Sequence, residues 1–305
     1  MRFWNRLVKR SNKLSIVVVF HNMVREAERT LYSLGCHYQS GVNAEDYEVI
    51  AIDNGSERPL AEDRVREFGS NFKYRFYPTE SVSPARAVNF GVGLAKGNSV
   101  AVIVDGARMV TPGLIRESLR ALNTLTTPFV CALGWHLGPK VQNLSMLDGY
   151  DQAEEDRLLE AIDWKNNGYR LFEVSTLALS SSIGFLGGMP KECSWFAMPR
   201  SDFIRIGGFD ERFQAPGGGL VNHEFLNRVL SRPETAPVVI LGEGSFHQVH
   251  GGVATNTTLE QHPWKDFGDE YARIYQRAYQ DVGPTPAIYM GKMHDLARRF
   301  ISPVS

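Results

Sequence analysis

Along the first hundred residues, uninterrupted apolar runs alternate with stretches whose apolar positions recur every three or four residues. Ser15–Phe20 (SIVVVF) is a β-branched run without a polar break, which predicts a strand buried on both faces. It stops at His21-Asn22. From Arg25, Ala27, Leu31 and Leu34 fall at helical spacing, with Gly35 as the expected stop. Tyr47–Ile52 predicts a second strand, ended by the turn cluster Asp53-Asn54-Gly55-Ser56. Leu60 to Phe68 reads as a helix closed by Gly69, and Phe72–Tyr77 as a third strand. Ser83-Pro84, a cap residue followed by proline at the first helical position, opens a helix expected to run to Gly97. Asn98–Val104 predicts a fourth strand that ends at Asp105.

Strand and helix in alternation with short connections imply an α/β fold with a mostly parallel sheet and right-handed crossovers. Ligands of such sheets sit beyond the carboxyl ends of the strands. Here those ends carry His21-Asn22, Asp53-Asn54-Gly55-Ser56 and Asp105-Gly106-Ala107-Arg108, so a polar ligand is expected where the three loops converge. A helix follows Pro112, then a strand around Phe129–Leu133. The acidic stretch 148–163 reads as a half-exposed helix and 184–188 as a loop. Residues 194–200 (SWFAMPR) predict a strand, with Ser201 capping a short helix that ends at Gly207-Gly208. A glycine-rich loop, 216–219, leads to Asn222, expected to cap a helix that turns Phe225, Leu226, Val229 and Leu230 inward. Pro237–Leu241 predicts a last strand before Ser245–Gly252, and Trp264 to Tyr279 an aromatic-rich amphipathic helix.

Composition narrows the field. With 305 residues, 43% apolar and 22% charged, the chain is that of an ordinary folded protein. A formal net charge of −1 argues against a dedicated nucleic-acid binder. Cys36, Cys131 and Cys193 show no metal-ligand spacing and fit reduced thiols in a cytoplasmic protein. Ile16–Phe20 is far too short to span a bilayer. The leader, residues 1–13, sets five basic residues beside Phe3 and Trp4. It reads either as a frayed solvated end or as a peripheral contact with the inner face of a membrane.

Taken in order, VVVFHN (17–22), IDNGS (52–56), PARAVNFGVGLAKG (84–97), the strand ending at Asp105, and GGFDERF (207–213) with Glu224 and Arg228 resemble the inverting family-2 glycosyltransferases of GT-A fold. The resemblance covers about residues 14–252. It implies a GT-A domain over 14–255, with a donor half at about 14–112, an acceptor half at about 113–255, and a helical extension over 256–305. It implies that Phe20 and Asn22 border the nucleotide base and that Asp53 holds uracil or another base. Arg86, Asn89, Asp105 and Arg108 would handle the rest of the donor. A UDP-sugar is the favoured donor, with GDP- and dTDP-sugars as alternatives, and the acceptor would be a glycan or a lipid-linked glycoconjugate of polysaccharide assembly.

The chain departs from the family pattern at two places. Asp-x-Asp reads Asp105-Gly106-Ala107, so one metal-binding carboxylate is missing. His247 and His250 stand where relatives place a histidine near the diphosphate, and with Asp105 they are candidate ligands for Mn²⁺ or Mg²⁺. Arg108 or Arg86 could replace the metal electrostatically. The family's Glu-Asp pair falls on Val221-Asn222, and an amide cannot take a proton, which leaves Glu224 or His223 as the expected base. Asp210 and Arg228 belong to the expected acceptor side, and Trp195 is a candidate for stacking on a sugar. Two other readings remain: a non-catalytic module that binds a nucleotide sugar or a partner, and nucleotidyl transfer, disfavoured because no basic glycine-rich loop follows the first strand.

Overall fold

The computed structural model describes residues 13–255 and 257–301. The expected leader lies outside the described residues except for Lys13. The first half alternates as its pattern predicts: β1 (Leu14–Phe20), α1 (Val24–Leu34), β2 (Tyr47–Asn54), α2 (Glu62–Glu67), β3 (Phe72–Tyr77), α3 (Ala85–Leu94) and β4 (Ser99–Ile103). Then come β5 (Arg108–Val110), α4 (Leu114–Thr124), β6 (Pro128–Leu137), α5 (Gln142–Leu147), α6 (Gln152–Ala161) and β7 (Ser175–Leu177). The chain closes with β8 (Phe196–Pro199), α7 (Arg200–Ile206), α8 (Val221–Leu230), β9 (Ala236–His247), α9 (Trp264–Tyr275) and β10 (Ile288–Gly291).

The strands join one sheet in the order β10-β9-β6-β8-β4-β1-β2-β3, with β5 added to β9 and β7 to β6. β1 to β4 are parallel to one another, and β8 inserts antiparallel between β4 and β6. The apolar runs are continuous because both faces of the sheet are covered. Val17, Val19, Ile50, Ile52, Val100 and Val102 pack with α3 and α8 on one side. Ile16, Val18, Phe20, Val49, Ala51, Ala101 and Ile103 pack with α1 and α4 on the other. Gly91 lets α3 settle on the sheet, since a Cβ there would lie 2.4 Å from Val17 Cγ1.

Four expectations are corrected. Asn222 does not cap α8, which begins at Val221; Asn222 lies inside its first turn and its amide donates to Cys193 O at 3.0 Å. Ser201 likewise lies inside α7, whose cap position is Pro199. β9 runs on to His247 through an irregularity that re-pairs Leu133 with Gly244 after Ala132 with Ile240, six residues beyond the expected strand end at Leu241. The region 256–305 is not a purely helical extension: β10 pairs parallel with β9, and the turn 295–300 brings Phe300 against Trp135, ring centroids 4.4 Å apart. Among the described residues, no helix is long and apolar enough to cross a membrane.

Candidate active site

β4 ends two residues before Asp105, and β9 ends at His247. β5 folds back antiparallel to β9 and sets Arg108 opposite His247, while β6 sets His136 opposite it on the other side. Gln248 N donates to Ala107 O at 2.9 Å, and the turn that follows returns His250 toward the same point. The two histidines therefore meet through a turn after the strand, not on one face of it. Asp105 Oδ2 lies 2.8 Å from His247 Nε2 and 3.4 Å from His250 Nε2, and the two Nε2 atoms are 3.1 Å apart. The Arg108 guanidinium stands 4.0 Å from the same carboxylate, and Asp105 Oδ1 accepts the amide of Ala107 at 3.0 Å.

Electrostatics follow from this packing. Burial alone would raise the Asp105 carboxyl, but the imidazoles of His250 and His247 outweigh it and hold it well below the usual carboxylate range. Burial pushes His247 down to about 4, so it is neutral at neutral pH. Burial also opposes charge on His250, yet the Asp105 carboxylate prevails and raises it. Gln142 Oε1 faces His247 Nδ1, and in the tautomer that carries its proton there, Nε2 is free to hold a cation. A cation seated among Asp105 Oδ2 and the two Nε2 atoms would serve all three. All three atoms lie close enough together to bind a single ion. A carboxylate with two imidazoles suits Mn²⁺ better than Mg²⁺. The residues fit the metal that the resemblance implies, and Asp105, His247 and His250 form the set that would hold it.

The neighbouring strand ends are sewn into one rim. Asn22 N donates to Ser56 Oγ at 2.8 Å, and Asn22 Oδ1 accepts the amide of Glu57 at 3.0 Å. Asn54 Nδ2 donates to the carbonyls of Ser81 and Ser83. Gly55 holds φ at 69°, and a Cβ there would strike Thr79 O. Asp53 is fully buried, and its two oxygens accept the amides of Ser56 at 3.1 Å and Leu60 at 2.8 Å. Phe20 is also fully buried, beneath Gly106, so its side chain supports the loop instead of bordering a base. Arg86 is half-exposed, 3.7 Å from Glu211. Asn89 ties α3 to the GGFDE turn, donating to Phe209 O at 2.8 Å and accepting from Phe209 N at 2.9 Å.

Several acceptor-side expectations are corrected. Arg228 lies in the last turn of α8 and grips Glu224 through two bonds, 2.5 and 2.8 Å, while donating to the carbonyls of Ile206 and Gly208. Glu224 is buried with both oxygens held by Arg228, so the pair acts as a clamp between α8 and the end of α7. Asp210 is bound by Arg212 and by the Tyr275 hydroxyl, and the Arg212 contact holds its carboxyl down at about 2. Asn89, Asp210, Arg228 and Tyr275 line a cleft of about 390 Å³ on the flank, where α3, α8 and α9 meet. Trp195 is fully buried with its indole N–H on Ser118 Oγ, so it stacks on no sugar. Of the two candidates for the base, His223 keeps a ring nitrogen, Nδ1, without a partner among the described residues. Gln142 and His136 were missed by sequence reasoning; their bond to each other, Gln142 N to His136 Nδ1 at 2.8 Å, arises only from folding.

A mixed sheet with its polar cluster at the carboxyl edge of parallel strands defines the GT-A class, and the solved structures agree. Staphylococcus aureus TarS in complex with UDP superposes with a TM-score of 0.52 at 12% identity, over 88% of this chain and 67% of that one. TarS in complex with UDP-GlcNAc gives 0.53 at 12% identity, over 88% and 68%. Residues 15–170, just over half of the chain, match the model of glycosyl transferase family 2, and the chain belongs to that family. It is 28% identical over 218 residues to validoxylamine A glucosyltransferase of Streptomyces hygroscopicus subsp. jinggangensis (strain 5008), covering 67% of this chain and 49% of that protein. The subsp. limoneus enzyme of the same name matches at 28%, with 45% of its length covered. The chain thus spans about half the length of these curated relatives.

Proposed function

We propose that this chain transfers a sugar, with inversion, from a nucleotide-diphosphate donor to a hydroxyl of a glycan or glycoconjugate. The observation that carries the reading is the convergence of Asp105, His247 and His250 at the carboxyl edge, with Arg108 beside them. Family membership supports sugar transfer, the names of the glucosyltransferase relatives agree with it, and the UDP and UDP-GlcNAc in TarS favour a UDP-sugar. On this reading, the rim built by Asn22, Asp53 and Ser56 borders the base, with Asp53 acting through the loop it shapes. A divalent ion held by Asp105, His247 and His250 would neutralise charge on the diphosphate. Arg108 adds a fixed positive charge on the same side.

His223 takes the proton of the acceptor hydroxyl as its oxygen forms the new bond to C1 of the donor. The C1–O bond to the diphosphate breaks, and the nucleoside diphosphate leaves with the electron pair. The test is thermal melting with UDP, GDP and dTDP, with and without Mn²⁺ or chelator, followed by a donor screen that monitors nucleotide release. Saturation to about 100 times Kd adds about 2.7 kcal/mol, so UDP with Mn²⁺ is expected to raise Tm by several degrees. If no nucleotide shifts Tm, the reading fails. If nucleotide binds but no donor is turned over, and His223→Ala changes nothing, the chain is a binding module, as the erosion of both acidic family motifs would allow.

A further inference from the structure

Trp135, Trp164 and Trp195 are buried, but Trp264, the first residue of α9, is 54% exposed. Its indole is not loose. The His262 ring stacks on it with centroids 4.3 Å apart at 23°, and Phe267 meets both edge-on. The His223 ring runs nearly parallel to the indole, at 14° and 6.0 Å. Nδ1 of His223 and Nδ1 of His262 are both enclosed and have no partner among the described residues. α9 is fixed to the loop before α8, because Glu270 Oε1 accepts the amides of Gln214 at 2.7 Å and Ala215 at 3.0 Å.

The position of this group follows from the sheet. Phe196 pairs with Val102, so the residues just before β8 lie at the same edge as Asp105, which follows β4. Asn222, next to His223, is bonded to Cys193 at that edge. β1 and β2, whose loops form the rim on the donor side, lie on the other side of β4 from β8. Asn222, and His223 beside it, therefore lie at the same edge of the sheet as Asp105, on the other side of β4 from the base rim.

We infer that Trp264, His262 and His223 form a stacking platform for a pyranose ring of the acceptor, which presents one hydroxyl to His223. A pyranose offers a face of C–H bonds for an aromatic ring and an edge of hydroxyls for imidazole nitrogens. The platform carries no fixed charge of its own, which suits a neutral sugar better than a phosphate. The inference rests on the sugar-transfer reading above.

The test uses the full chain with UDP and Mn²⁺, and methyl β-D-glucopyranoside, cellobiose and maltose as probes. Binding is read by saturation-transfer NMR and by protection of tryptophan fluorescence from acrylamide. At least one probe is expected to bind and shield the exposed indole. Trp264→Ala should weaken that binding tenfold or more, Trp264→Phe should restore most of it, and UDP affinity should stay within twofold in both variants. Equal binding by the parent and Trp264→Ala overturns the platform, as does the failure of every probe while UDP binds normally. Glycoside binding that depends on Trp264 in a chain that binds no UDP upholds the platform and removes the nucleotide-sugar reading instead.

Discussion

The proton on Nδ1 of His247 decides what the other end of the ring can offer. With Gln142 Oε1 accepting that proton, Nε2 presents a lone pair 2.8 Å from Asp105, in the form that a cation requires. Gln142 is fully buried, so no water replaces it. Gln142→Leu is therefore expected to weaken Mn²⁺ binding by about 10–100-fold, the usual effect of losing a residue that orients a ligand. Titration calorimetry with Mn²⁺ would measure it, and an unchanged circular dichroism spectrum would show that the fold survives. Undiminished affinity would remove Gln142 from the site. Asp105 was legible as the polar residue after an apolar run, and both histidines through the family resemblance. Gln142 was not, because its contact with His247 spans 105 positions and depends on how β6 and β9 pair. Asp53 shows the converse: a polar residue at a strand end drew a ligand role, and its oxygens turn out to hold two loop amides.

At the scale of elements, α8 is held to the end of α7 by one guanidinium. Arg228 joins Glu224 in its own helix to the carbonyls of Ile206 and Gly208, so it fixes the turn that carries Phe209 into the core. Removing the cation leaves a buried carboxylate unpaired. Since the Arg228 side chain is 31% exposed, Arg228→Leu should cost less than a fully buried pair, on the order of 2–3 kcal/mol, in urea denaturation. Glu224→Leu combined with Arg228→Leu should recover part of that loss, because the orphaned charge goes with it. Glu224→Gln should lower stability but leave donor turnover within severalfold, and a thousandfold loss of turnover would return Glu224 to the role of base. Strands β1 to β4 and their helices were legible because burial on both faces writes continuous apolar runs. The 3₁₀ segments between 168 and 181 were not, since seven- and three-residue 3₁₀ stretches leave no 3.6-residue periodicity.

For the molecule as a whole, the last described segment completes the sheet instead of decorating it. β10 covers the outer edge of β9, the strand that delivers His247. Behind it, Ala297 is fully buried, Phe300 packs on Trp135, and Arg299 donates to the carbonyls of Phe172 and Ser175. The sequence hid this strand: Ile288–Gly291 is only four residues long and half-exposed, and it lacks the apolar run that marked the others. Ending the chain at residue 280 would expose Trp135 and leave β9 as an open edge ready to pair with another molecule. The shortened chain is expected to melt at least 10 °C lower or to aggregate on expression, as light scattering and thermal melting would show. The distant half, β1 to β3 with the Asn22–Ser56 rim, lies at the other end of the sheet from β10, so any folded fraction should still bind UDP. Its Mn²⁺ affinity should fall, because His247 lies at the end of the strand that lost its neighbour. An unchanged Tm together with unchanged Mn²⁺ affinity would show that β10 has no part in holding the site.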